Sequence, residues 1–454
     1  MTGAPISRPA AALAACVAAL LMLAAGAQAR LEVRVFARVP SPGYPANALV
    51  AANGTVYAGT FKSFTDPSDT GPSKVFAFTP GGQIERTYTI TGQAPDTPHG
   101  VQVAATDRAG MLYLLDQAPA RVIKLNPRTG AQSTWATFAS VPACTGVPNG
   151  DCTDGSAGNP PEPDFATWGP DGSLYVTDYN QSLIWRVPPG GGKATVWFTS
   201  SLLNGVIVGP AGIELMPDGQ TLMFDSGGGG SDVSTGKLYT LPIEANGQPG
   251  APHQLWESAA AQAPDGFAIA RSGDVYVALV GPAGNGVVEL SPQGDEIAEV
   301  PANPVANMAL PIPFDAPGSV TFDGDQVLVA NQSSLQNDTA NMALLEINVG
   351  EPGLPQSLPP AIPTPARYGL RVRPARVSVG RRIRFRFTAT LSAGGRRRPA
   401  VHAMIRFDGR TARTGRSGKA TIIATLRRAR SRYRAVLIVG GHRAATTTVT
   451  TRHR

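Results

Sequence analysis

At 454 residues with a formal net charge of +7, the chain is long enough for about three domains at roughly 150 residues each, although repeat architectures hold far more residues in one unit. Beyond the first 29 residues no segment approaches 18 consecutive apolar side chains, which excludes an integral helical membrane protein. The charge is sharply divided: residues 31–365 carry 13 Lys+Arg against 31 Asp+Glu, a balance of −18, whereas residues 366–454 carry 24 Lys+Arg against the single acid Asp408, a balance of +23.

Residues 1–29 have the parts of a bacterial-type signal peptide: Arg8, the apolar run AALAACVAALLMLAAG, and the small-residue cleavage site Ala27-Gln28-Ala29. Cys16 has a lipoprotein-like context, but the apolar run continues past it, so the reading is cleavage after Ala29 and a secreted or cell-surface-associated product. Next comes LEVRVFARV (31–39), a strand pattern with no local partner.

From Asn53 to Ala330 one cassette recurs six times: a glycine turn followed by a short strand, as in NGTVYAGT, AGMLYLLD, DGSLYVTD, DGQTLMFD, SGDVYVAL and DGDQVLVA. The turn glycines are Gly54, Gly110, Gly172, Gly219, Gly273 and Gly324, spaced 56, 62, 47, 54 and 51 residues apart. A period near fifty that contains several short strands is a propeller-blade repeat, and no 3.6-residue apolar period competes with it. The fold class predicted is all-β, a six-bladed β-propeller over 31–350. The last blade supplies three strands of its own, so residues 31–39 are predicted to complete it and close the ring, which removes unpaired sheet edges.

Between the second and third blades, Cys144 and Cys152 form an even pair in an oxidising compartment, which predicts a disulfide contributing at most about 2.6 kcal/mol for so short a ring. Residues 351–366 hold a proline-rich stretch that predicts an extended spacer. Residues 367–454 alternate apolar and polar positions with Gly-Gly and Asp-Gly turns, and predict a small basic immunoglobulin-like β-sandwich. Its cations are almost all arginine. GC-rich coding produces that bias without selection, and the functional reading is attachment to an anionic cell-wall polymer or surface. The absence of a stacking-aromatic motif argues against nucleic acid.

In a propeller, the residues just before each innermost strand converge on the axis. Those entries contain Asn47, His99, Asp164 and Asp265, and convergent polar groups in a concavity are candidate site residues. Asp116, Asp178 and Asp225 recur at one cassette position and read as a repeated structural hydrogen bond. His253 falls on an outer strand of the fourth blade, away from the axis. The Gly227–Gly230 run lacks the strand-to-helix context of a phosphate loop.

The runs PDFATWGPDGSLYVTDYNQSLIWRV, PAGIELMPDGQTLMFD and PDGFAIARSGDVYVALVGPAGNGVVEL resemble the SMP-30/gluconolactonase family of six-bladed propellers. The resemblance implies a divalent cation, Ca²⁺ or Zn²⁺, in the axial cavity and hydrolysis of a lactone, ester or sugar derivative. The family's Pro-Asp-Gly entry is matched by Pro264-Asp265-Gly266. Its Pro-Asn-Gly entry is Pro210-Ala211-Gly212 here, its Asn-Asp entry is Pro163-Asp164, and its initial Glu has no counterpart near Tyr44-Pro45. The candidate metal ligands are therefore Asp265, Asp164, His99 and Asn47, with Asp265 or Asp164 as proton acceptor. The presence of His99 favours Zn²⁺ or another transition ion. The competing reading is a non-catalytic recognition propeller anchored by its basic domain.

Overall fold

The computed structural model describes residues 29–61, 71–93, 99–141, 160–203, 209–227, 235–281, 283–360, 367–393 and 396–453. The signal sequence up to Gln28, the cysteine pair Cys144 and Cys152, and most of the Gly227–Gly230 run lie outside the described residues. The chain divides after Pro360 into two compact units.

The first unit consists of six blades, each of four antiparallel strands, the second carrying in addition the two-residue strand Gly192–Lys193 paired parallel with its outer edge. Their innermost strands are Ala48–Val50, Val101–Thr106, Pro163–Trp168, Ile213–Leu215, Pro264–Ile269 and Pro317–Asp323. Each cassette supplies the second strand of its blade: Val56–Gly59, Leu112–Gln117, Leu174–Asp178, Thr221–Ser226, Val275–Leu279 and Gln326–Asn331. All six cassette glycines have positive φ, from 66° to 99°, the region in which a Cβ is unfavourable. The second strands are buried almost throughout because neighbouring blades cover both faces, so they read as continuous apolar runs rather than alternating ones. Outer strands such as Ile84–Thr89 are largely exposed. His253 begins the outer strand His253–Glu257 of the fourth blade.

The sixth blade is completed by the strand Val33–Arg38. It pairs antiparallel with Ala343–Asn348, with Val33 opposite Ile347 and Arg38 opposite Ala343. Ala37 and Val39 are buried with Leu328 and Leu344 of the sixth blade and with Val56, Phe76 and Phe78 of the first. One N-terminal segment thus joins the two blades at the seam.

The first part of the proline-rich stretch lies along the propeller. Leu354 N donates to Ile269 O at 2.9 Å, Ser357 Oγ to Trp168 O at 2.6 Å, and Arg108 Nε to Pro359 O at 3.0 Å. Gly353 approaches Phe322 so closely that a Cβ there would fall 2.2 Å from the ring. Proline has no N–H to lose, so the segment docks through carbonyls and its few non-proline donors. These contacts are at the ends of the innermost strands, so the strap crosses the axis at its exit end.

The second unit is a β-sandwich. One sheet contains Arg367–Arg373, Arg382–Ala393, Arg396–Pro399 and Lys419–Thr425; the other contains Arg376–Ser378, Met404–Phe407, Arg410–Arg413, Arg432–Val439 and His442–Arg452. Phe385 and Phe387 from the first sheet meet Phe407 from the second with ring centroids 5.0 and 5.4 Å apart. Leu370, Ile405, Ile422 and Leu437 complete the core.

All five tryptophans of the chain, Trp135, Trp168, Trp185, Trp197 and Trp256, belong to the propeller, so tryptophan fluorescence reports its unfolding alone. Ala37→Glu, which buries a charge at the seam, should lower the denaturant-derived stability by about 2–4 kcal/mol. Val35→Glu, on the outer side of the same strand where Val35 is 37% exposed, should stay within about 0.5 kcal/mol. Equal losses at the two positions would contradict the closure.

Candidate axial site

The entry turns are fastened by acids of the second strands. Asp225 Oδ1 and Oδ2 accept from the backbone N–H groups of Ala211 and Gly212 at 2.8 and 2.9 Å. Asp178 Oδ1 accepts from Glu162 N at 3.1 Å and Gln181 N at 2.8 Å, and its Oδ2 from Trp185 Nε1 at 2.8 Å. In the sixth blade Asn331 Oδ1 takes the same place, accepting from Asp315 N at 2.8 Å. Asp116 instead pairs with Arg121 Nε at 2.8 Å and with Gln93 Nε2 at 2.8 Å. The repeated acids are structural bonds, in accord with their position in the cassette.

On these turns sits a group of desolvated carboxyls. Burial raises Asp164 well above the ordinary carboxylate range, and Asp265 and Glu162 raise it further. Asp265 is raised by burial and then by Asp225, and Asp225 by burial together with Asp164. Burial and Asp178 push Glu162 up to about 7. Burial raises the Tyr179 hydroxyl strongly, with Asp265, Glu162 and Asp164 adding to it. Among the described residues none of Glu162, Asp164 and Asp265 has a cationic partner. Gln102 Nε2 donates to Asp164 Oδ1 and orients that carboxyl. Gly266 keeps the passage narrow, since a Cβ there would lie 2.7 Å from both the Phe165 ring and Ser319 Cβ.

Of the residues singled out from sequence, Asp164 and Asp265 are brought into this group. Asn47 is 6% exposed on the cavity wall, and its Oδ1 makes no hydrogen bond. Ser319 Oγ and Gln102 Oε1 are likewise buried without a partner. His99 is buried with Nδ1 2.9 Å from Ser73 Oγ, and it does not form with Asp164 and Asp265 a set whose ligand atoms all lie within 4.8 Å of one another. The set that meets this condition among the described residues is Asp274, Glu289 and Glu351, on the fifth blade and just beyond the sixth. There the Arg30 guanidinium bonds Glu289, and Tyr276 Oη reaches Glu289 and Glu351 at 3.1 and 2.7 Å. Arg30 supplies the positive charge of that network.

Sequence reasoning missed Glu162 and Glu214. Glu162 precedes the Pro163-Asp164 entry by one residue, and the signal available was an acid beside an acid. Glu214 lies mid-strand in Ile213–Leu215, and burial pushes its carboxyl up to about 8. An isolated acid in an apolar innermost strand was its mark. It lines a cavity of about 120 Å³ that runs from Asn47 and Phe165 to the strap residues Leu354 and Gln356.

The class that this geometry defines is a six-bladed propeller with desolvated carboxyls at its entry turns and one, Glu214, on the wall of its axial cavity. Residues 200–313, covering the fourth blade, the fifth and the approach to the sixth, match the family described as SMP-30/Gluconolactonase/LRE-like region. Asp265 lies inside the matched segment; Asn47, His99 and Asp164 lie outside it. The fold is shared with the calcium-binding protein regucalcin from Agrobacterium tumefaciens str. C58, at 17% identity over 73% of this chain and 98% of that one, TM-score 0.51. A luciferin-regenerating enzyme (12% identity, 72% and 99% covered, TM-score 0.46) and virginiamycin B lyase from Staphylococcus aureus (15%, 70% and 99%, TM-score 0.44) are also similar. No curated protein sequence matches the chain.

Glu162 yields a pH prediction. Its carboxyl sits near 7 in the folded protein against an ordinary value of 4.5, so between those values the folded state holds a proton that the unfolded state has released. Stability should therefore fall as pH rises from about 4.5 to about 7. Glu162→Gln should flatten that slope in denaturant midpoints measured across the window. An unchanged slope would place the Glu162 carboxyl in water.

Proposed function

We propose that the protein is a secreted hydrolase that opens a small lactone or ester of a sugar or other hydroxy acid in its axial cavity, with a divalent cation bound there. The observation that carries this reading is the set of desolvated carboxyls without a cationic partner, in a propeller whose residues 200–313 match this family. Leaving such a set ionised and unpaired is costly, and it is relieved either by protons or by a cation.

The donors fit a hard cation. Asp265, Asp164 and the carbonyl oxygen of Asn47 are oxygen ligands of the kind Ca²⁺ takes, whereas His99 is engaged by Ser73 and stands apart, which removes the argument for Zn²⁺. When bound, the cation supplies charge stabilisation to the oxygen that becomes negative as the ester carbonyl is attacked. The protein's own groups do the rest. Gln102 holds Asp164 in place. Glu162, titrating near neutrality, is matched to taking a proton from the attacking water and returning it to the leaving alcohol. Asp265 orients the substrate, and Phe165 with Gly266 limits it to a small molecule.

Mature protein purified without added metal should contain near-stoichiometric Ca²⁺ by elemental analysis and hydrolyse at least one member of a lactone and ester panel. Chelation should abolish the activity and Ca²⁺ restore it. Asp265→Asn should reduce kcat/KM by about a hundredfold or more without lowering the fluorescence-detected Tm, because it removes a carboxyl that its neighbours repel. Metal-free protein with no hydrolysis across the panel would instead establish a recognition propeller, the reading favoured by Ala211 and Pro163 at the family's ligand positions.

A further inference from the structure

We infer that the outer face of one sheet of the C-terminal sandwich is a binding surface for a linear acidic polysaccharide. This sheet turns Phe385, Phe387 and Ala389 inward, so alternation sets Arg382, Arg384 and Arg386 on the outside of the same strand, and all three are exposed. The register supplies their neighbours. Arg373 is directly opposite Arg386, and Arg371 is opposite Thr388, which faces Lys419 on its other side. Alternate residues along a strand are about 6.7 Å apart and adjacent strands about 4.8 Å apart, so these six cations form a grid on a flat surface.

Nothing on this face neutralises the grid. The one acid of the second unit, Asp408, is on the other sheet, where it pairs with Arg410 at 3.3 Å. Arg373 opposite Arg386 is a like-charge cross-strand pair, which destabilises a sheet. The other sheet's outer face also carries arginines, but each lies opposite an uncharged residue: Arg406 beside Val436 and Thr411, Arg413 beside Met404, Arg434 beside Thr448, Arg432 and Arg376 beside Thr450, and Arg452 beside Ser378. Coding bias accounts for arginine over lysine but not for two arginines set directly opposite each other on one face.

The occupant follows from what accompanies the charge. Guanidinium forks bind carboxylates in two-pronged fashion, and an extended polymer with charges at short intervals can engage several at once. The face carries no aromatic ring for stacking nucleic-acid bases. Its one large exposed apolar residue is Ile423, at 38%, too little to seat in a bilayer as interfacial segments do. The inference does not depend on the axial chemistry, since polymer binding is read without substrate.

The test uses the full chain and polygalacturonate, with dextran as the neutral control, at about physiological ionic strength, where exposed charges act within about 8 Å. The variant Arg371→Gln/Arg384→Gln/Arg386→Gln should bind about tenfold more weakly or worse. The charge-matched variant Arg406→Gln/Arg413→Gln/Arg434→Gln, on the other sheet, should change affinity by less than about twofold. Single Arg386→Gln should keep or raise the Tm while weakening binding, which separates the effect from misfolding. Equal weakening by both triple variants, no binding of polygalacturonate, or tighter binding to duplex DNA or to phosphatidylglycerol vesicles would each overturn the inference.

Discussion

The axial site depends on one bond repeated in the third, fourth and sixth blades, from a side chain at the end of the second strand to backbone N–H groups of that blade's entry turn. A carboxylate accepting backbone N–H bonds is held by about 1.5–3 kcal/mol per bond. Asp225 holds Ala211 and Gly212, and Asp178 holds Glu162. The turn fixed by Asp178 leads straight into Asp164. The cassette repeat therefore sets the geometry of the cavity mouth as well as the blade.

That bond has an electrostatic cost. Asp225 and Asp178 are fully buried, and each adds its field to a nearby acid: Asp225 raises Asp265 of the next blade, and Asp178 raises Glu162, whose N–H it holds. Structural acids thus tune the candidate chemical ones. A polar residue without charge would fasten the turn equally well, as Asn331 does in the sixth blade, but would leave its neighbours raised by burial without the added field. The acidic anchors of the third and fourth blades stand beside Glu162 and Asp164 of the third and Asp265 of the fifth.

Periodicity made the blades legible. The glycine spacing counted six, the isolated N-terminal strand pointed to the seam, and Pro264-Asp265-Gly266 placed Asp265 on the axis. What stayed hidden needed three-dimensional neighbours. Both His99 and Asp164 precede or begin an innermost strand, and only the packing of Ser73 against His99 separates their roles. Glu162 stayed hidden because it stands one residue ahead of its blade's Pro163-Asp164 entry. The docking of the strap was not legible, because proline content reports an extended, stiff backbone and says nothing about what the carbonyls can accept from. Arg108, Ser357 and the Ile269 carbonyl, distant in sequence from one another, turned that stiffness into a docked segment.

The strap gives the cavity a floor made from the chain's own continuation. A molecule that reached Glu214 would meet Leu354 and Gln356 on the far side of the cavity, and it would have to leave by the way it came. The floor is also the first stretch of peptide on the route to the basic unit. A cut beyond Pro360 would free the sandwich from the propeller and leave the floor laid, so the chamber would keep its depth without the second unit.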